Sequence, residues 1–127
     1  MGATSVSFFA KLNADKDKIM DYKIIDFHTH AFPDFLAEKA VTKLAEESGD
    51  YKPFHMGSIK ELLASMDDAL VLKSFVANIA TKPEQIAPIL KWSKEIQSER
   101  ILPLASFYPK NPNWARDIDM IVESGLR

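Results

Sequence analysis

The sequence predicts an α/β fold with a parallel sheet, and two observations support this class. Short apolar runs alternate along the chain with segments whose apolar residues recur at helical spacing. Strands that alternate with helices imply crossover connections, which join parallel strands. The apolar fraction of 46% and the charged fraction of 27% are ordinary for a globular chain. We therefore expect about three strand-helix units.

The first predicted strand, residues 23–30, ends in the spacing Asp26-x-His28-x-His30. Side chains on a strand alternate between its two faces, so these three side chains are expected on one face. Two imidazoles on one face can hold one divalent ion, and a carboxylate can orient a ring nitrogen. An isolated His-x-His is often an exposed pair that binds nothing, but this pair ends an apolar run and precedes a helix. We therefore predict His28 and His30 as metal ligands and Asp26 as their orienting residue.

Two helices are predicted between the first and second strands. The first helix ends near Ser48-Gly49. The second begins at a capping box, in which Ser58 and Glu61 bond each other's backbone N–H groups. The apolar faces of the two helices are formed by Leu36, Ala40, Val41, Leu44 and Ala45, and by Ile59, Leu62, Leu63 and Met66.

The second strand is predicted at residues 69–78. This run is apolar apart from Lys73 and Ser74, as expected of a strand that is buried on both faces. Thr81 and Glu84 then form a second capping-box pattern, which predicts the start of the third helix.

The third strand is predicted at residues 101–108, and the last helix runs from Asn111-Pro112 to a stop at Gly125. Ligands collect at the carboxyl ends of parallel strands, because the loops there converge. Residues 78–81 and 107–110 follow the second and third strands, so we expect them to line a pocket beside the histidine pair.

Charge and composition exclude several classes of partner. The 18 acidic and 16 basic residues are mixed along the chain and give a net charge of -2. The chain therefore has no basic face of the kind that nucleic acid or an anionic membrane requires. It has no cysteine, so a metal would need nitrogen and oxygen ligands, and a cytoplasmic location is expected.

The N-terminal segment and the apolar runs predict neither secretion nor insertion into a membrane. The apolar runs are too short to span a bilayer. Residues 1–19 lack the basic and apolar regions of a signal peptide, and we expect them to form a loosely ordered N-terminal extension. Residues 20–127 are expected to form the folded part.

Four other residues have side chains that could belong to the site. His55 is a possible third ligand or substrate contact, but a loop histidine is the commoner reading. Asp34 follows the pair closely, although Pro33-Asp34 also suits a turn or a helix start. Lys82 and Lys110 would favour an anionic substrate but are typical of solvated loops. None of the four is assigned to the metal.

The segment IIDFHTHAFPD, residues 24–34, resembles the first strand and loop of the amidohydrolase superfamily, in particular its amidohydrolase-2 branch, which includes aminocarboxymuconate-semialdehyde-decarboxylase-like enzymes. In that family the His-x-His supplies two metal ligands, so the resemblance implies this role for His28 and His30. Later units of the family are similar to residues 81–85, 101–104 and 123–127.

The resemblance implies a (β/α) barrel of TIM type. Such a barrel takes about 250 residues, so the 127 residues of this chain are expected to form its N-terminal part. It also implies a divalent metal, zinc or alternatively manganese, that activates water to hydrolyse an amide or ester bond of a small molecule. Nonoxidative decarboxylation on the same scaffold is an alternative. The family's remaining ligands and its acid-base group come from later strands.

A third interpretation is a catalytically inert chain that acts through oligomerisation. Three parallel strands without closure leave exposed edges and apolar surface, which favour pairing with another chain. We therefore expect a homo-oligomer, with no nucleic acid and no membrane as partner.

Overall fold

A computed structural model describes residues 23–49 and 52–126. The predicted extension at residues 1–19 lies outside the described residues. The described part is a mixed α/β fold, as the sequence predicted. Its elements are β1 (Ile24–Thr29), α1 (Asp34–Glu47), α2 (Ile59–Asp68), β2 (Val71–Ala77), a 3₁₀ turn (Pro83–Gln85), α3 (Ile86–Ile96), β3 (Ile101–Leu104) and α4 (Trp114–Ser124).

The three strands form one parallel sheet in the order β1-β2-β3, so β2 is central. Parallel pairing requires a crossover between consecutive strands, and the helices that alternate with the strands provide it. The predicted parallel sheet is therefore confirmed. The sheet is open, since β1 and β3 are its edges in the described part of the chain.

One face of the sheet is covered by helices and contains the main core. Ser74 and Val76 of β2 are fully buried on this face, and Val76 pairs with Pro103 of β3. Alternation along the strand directs both side chains to the same side. The core cluster on this side consists of Ala31, Leu62, Met66, Val76 and Ile101.

The opposite face of the sheet is only partly covered. Phe27 of β1 stacks on Phe75 of β2 with ring centroids 4.7 Å apart, yet Phe27 remains 68% exposed. Lys73, which alternation places on the same side as Phe75, is also exposed. The expectation that the second strand is buried on both faces is therefore wrong, because no described element packs over this side of β2.

A second cluster joins the last two helices. Ile86 and Leu90 of α3 are buried against Leu126, which follows α4. Partly buried residues complete the contact, namely Ala80, Ala105, Met120 and Ile121. The apolar faces of α3 and α4 are thus used in packing.

Arg100 connects α2 to the amino-terminal ends of the strands. Its guanidinium donates to the Asp67 carboxylate at 2.6 Å and to the Val71 carbonyl oxygen at 3.0 Å. It also donates to the carbonyl oxygen of Leu72 at 3.4 Å. The fork of donors in arginine suits several acceptors at once. Arg100 therefore holds the start of β2 beside the segment that leads into β3.

The helix signals of the sequence are mostly confirmed. The capping box at Ser58 and Glu61 is present, and α4 stops at Gly125, whose φ of 73° lies in the left-handed region. The box predicted at Thr81 and Glu84 is wrong. The Gln85 side-chain oxygen accepts instead from the Thr81 backbone N–H at 2.7 Å, because the 3₁₀ turn brings Gln85 over this end.

The third strand is shorter than predicted, since β3 ends at Leu104 rather than at residue 108. Leu104 pairs with Ala77, which is the last residue of β2. Beyond that point β3 has no neighbouring strand to bond, so its extended conformation is not continued.

No helix in the described part of the chain has both the length and the apolar character needed to cross a membrane.

Replacing Ser58 should destabilise the fold through α2. The Ser58 hydroxyl oxygen accepts from the backbone N–H of Glu61 at 3.2 Å, so Ser58→Ala leaves that donor unpaired. We expect a loss of about 1 kcal/mol in the free energy of unfolding, measured by urea denaturation with circular dichroism. Ser65→Ala, at an exposed position of the same helix, is the matched control. Equal losses in the two variants would contradict a capping role.

The capping box should also make stability depend on pH. The hydrogen bonds from the Ser58 hydroxyl and backbone hold the pKa of Glu61 below its usual value. A lowered pKa stabilises the fold above the ordinary carboxyl range, and this contribution is lost as pH falls through the lowered pKa. The difference in melting temperature between the wild type and Glu61→Gln should therefore narrow between neutral pH and about pH 3. A difference that is constant over this range would exclude the coupling.

Candidate metal centre

The histidine pair lies at the carboxyl end of β1, where the chain leaves the sheet for α1. Asp26 pairs with Ser74, whereas Thr29 pairs with Val76, so three steps along β1 match two steps along β2. This mismatch is a register shift of the kind that a β-bulge produces, and bulges often redirect side chains beside functional sites. Strict alternation of faces therefore does not hold between Asp26 and Thr29.

The two imidazoles of the pair converge. Nε2 of His28 lies 3.1 Å from Nε2 of His30, and the rings meet edge to face with centroids 4.9 Å apart. Two nitrogen ligands of a tetrahedral zinc ion, each about 2.0–2.1 Å from the metal, lie about 3.3–3.4 Å apart. The two Nε2 atoms thus need to separate by only a few tenths of an ångström to hold one ion.

A backbone carbonyl fixes the second imidazole. Nδ1 of His30 lies 2.8 Å from the carbonyl oxygen of Ala77, the last residue of β2. A carbonyl oxygen can only accept, so Nδ1 carries the hydrogen and Nε2 of the neutral ring keeps its lone pair. This is the arrangement in which a histidine bonded at one nitrogen presents the other to a metal.

Asp26 contacts the backbone of the motif. Its Oδ1 accepts from the backbone N–H of His28 at 3.0 Å. This bond lies within the segment of β1 where the register shifts, and it holds the backbone at His28. The ring hydrogen bond that sequence analysis assigned to Asp26 is made, for His30, by the Ala77 carbonyl.

The described residues do not bring a third ligand to the pair. Over residues 23–49 and 52–126, no group of three or more His, Asp or Glu side chains could hold a metal ion. His55 lies in the loop before α2, where its Nδ1 accepts from the backbone N–H of Gly57 at 3.0 Å. Asp34 is the first residue of α1. Lys82 and Lys110 are exposed.

The loops at this end of the sheet are joined by polar contacts that sequence analysis did not assign. The backbone N–H of Ala80 donates to the Ser106 hydroxyl at 3.1 Å. Asn78 donates from its side-chain amide to the Ser93 hydroxyl and to the Leu104 carbonyl. The position of Asn78 directly after a strand was the available signal, but its partners are distant in sequence.

Two grooves in the described surface are lined by residues other than the histidine pair. One runs between α3 and α4 and includes Leu90 and Met120. Another lies beside the end of α1 and includes Leu44 and Pro53. The pair itself is on the surface, with His28 exposed and His30 half-buried.

No protein-family model, curated protein or solved structure matches this chain. The resemblance to the amidohydrolase superfamily accordingly rests on residues 24–34 and on the shorter stretches 81–85, 101–104 and 123–127 alone.

Proposed function

We propose that His28 and His30 hold a divalent metal ion, zinc or alternatively manganese, in a hydrolase of the amidohydrolase type that acts on a small molecule. The observation that carries this proposal is the 3.1 Å separation of the two Nε2 atoms at the carboxyl end of a parallel strand. Imidazole nitrogen suits zinc, whereas manganese would need additional oxygen ligands, and the chain offers no thiolate. The lack of cysteine also supports a cytoplasmic location.

The chain's own residues have separate roles in this proposal. His30 is held by the Ala77 carbonyl and presents a lone pair, whereas Asp26 sets the backbone at His28. When bound, a divalent ion supplies Lewis acidity and eases deprotonation of water near neutral pH. Catalytic zinc usually has three protein ligands, and the described residues offer two. We therefore expect weak metal binding and little or no hydrolysis by this chain alone.

We also propose that the sheet forms the first three units of a (β/α) barrel. The strands are parallel and neighbour each other in chain order. The core lies between one face of the sheet and its helices, as on the outside of such a barrel. The histidine pair is at the carboxyl ends of the strands, where barrel enzymes place their sites.

Titration with zinc tests the proposed ligands. The wild-type chain should bind about one equivalent in isothermal titration calorimetry, and His28→Ala or His30→Ala should weaken the affinity at least about tenfold. Lowering the pH should weaken binding, because protonated imidazole cannot coordinate.

His55→Ala is the matched control, since His55 contacts its own loop rather than the pair. Absence of zinc binding by the wild-type chain would reject a preformed site. An equal loss of zinc affinity in His55→Ala would contradict binding of the ion at the histidine pair.

A second candidate function is supported by the uncovered face of the sheet. Phe27 is 68% exposed and Ile25 is 44% exposed, so this face offers apolar surface to another chain. On this view the chain is a catalytically inert component that acts through self-association.

Light scattering coupled to size-exclusion chromatography tests self-association. The wild type should elute as a dimer or larger species, and Phe27→Asp should shift it to the monomer, because association would bury the new charge. Phe54→Asp, at a fully exposed loop position before α2, is the control. A monomeric wild type at all concentrations would contradict this function.

A further inference from the structure

Asn78 ties the carboxyl end of β2 to its two neighbours. Its side-chain amide nitrogen donates to the Ser93 hydroxyl of α3 at 2.9 Å and to the Leu104 carbonyl at the end of β3 at 2.7 Å. Both amide hydrogens are thus used. Ser93 is fully buried, so losing this bond would leave a buried hydroxyl without that partner.

The residue before Asn78 contacts the candidate metal centre. Ala77 accepts the hydrogen on Nδ1 of His30 through its carbonyl oxygen. That carbonyl belongs to the peptide group joining Ala77 to Asn78, so the place of Asn78 fixes its direction. With the hydrogen on Nδ1 of His30, the contact between the two Nε2 atoms requires His28 to donate.

We propose that Asn78 is a positioning residue for the metal centre. By holding the end of β2 against β3 and α3, it keeps the Ala77 carbonyl aimed at His30. The carbonyl then selects the tautomer of His30 whose Nε2 lone pair is free. The use of that lone pair for a metal rests on the proposed function, whereas the selection of the tautomer does not.

The two histidines are therefore unequal before a metal arrives. His30 already has the tautomer that coordinates through Nε2. In the metal-free pair His28 has its hydrogen on Nε2, so the hydrogen must move to Nδ1 through solvent before His28 binds the same ion. Preorganisation by Asn78 thus applies to His30 alone.

The tautomers can be read in the metal-free protein by long-range proton–nitrogen correlation spectra of histidine-labelled chain at about pH 8, where imidazole is neutral. The wild type should show His30 with hydrogen on Nδ1. In Asn78→Ala this signature should be lost or shared with the other tautomer. Asn78→Ser retains one donor and should give an intermediate result. Asn113→Ala, at an exposed N-cap whose side chain makes no capping bond, should match the wild type.

Zinc titration of the same variants gives a second measurement. Asn78→Ala should weaken zinc affinity by at most about 10-fold to 100-fold, the range typical of removing the orienting partner itself, because the Ala77 carbonyl remains. A wild type with hydrogen on Nε2 of His30 would overturn the inference even if zinc binds. Unchanged His30 spectra in both folded Asn78 variants would overturn it too, and if Asn78→Ala does not fold, Asn78→Ser and the wild type decide. If the variants show the expected tautomers but the wild type binds no zinc, the proposed function is rejected. The role of Asn78 in selecting the tautomer of His30 is then retained.

Discussion

Burial of one face of the central strand is the constraint on which the rest of the structure depends. Val76 is fully buried beside Ile101, Leu62 and Met66, which join β2 to β3 and to α2. Ser74 is fully buried on the same face, and its hydroxyl has no hydrogen-bond partner among the described residues. An unpaired buried hydroxyl costs about 1–3 kcal/mol, so the apolar contacts around it must outweigh that cost.

Two polar side chains hold the ends of this central strand. Arg100 bonds the Val71 carbonyl at its amino end, and Asn78 bonds Leu104 and Ser93 at its carboxyl end. Both draw on partners more than ten residues away in sequence. The carboxyl end is the more consequential for chemistry, because its last carbonyl contacts His30. Packing of the core is thus coupled to the direction of a candidate metal ligand.

The edges of the sheet differ from its open face as sites of association. β1 contains a bulge-like register shift, and β3 has only four residues and includes Pro103. Bulges, short strands and proline all oppose edge-to-edge pairing, because they interrupt the row of free hydrogen-bonding groups. The open face lacks these protective features, and Phe27 and Ile25 expose apolar surface there. The proposed self-association would therefore use the open face rather than strand addition at either edge.

The sequence by itself determined the α/β class, the parallel sheet, the capping box of α2 and the stop of α4. These depend on periodicity or on residues within one turn, such as Ser58 with Glu61 and Gly125. It also placed His28 and His30 at the end of the first strand. The prediction of a capping box at Thr81 and Glu84 was wrong, because the neighbouring Gln85 side chain accepts from the Thr81 backbone N–H instead.

Only the tertiary structure decided which face of β2 is buried, where β3 stops and what orients the histidine pair. The end of β3 depends on where its neighbour ends, and the partner of His30 is a backbone carbonyl 47 residues away. Every residue has a carbonyl, so its type gives no sign of that contact. Such interactions arise from strand register, which includes the shift in β1 and is fixed only when the sheet and its core assemble.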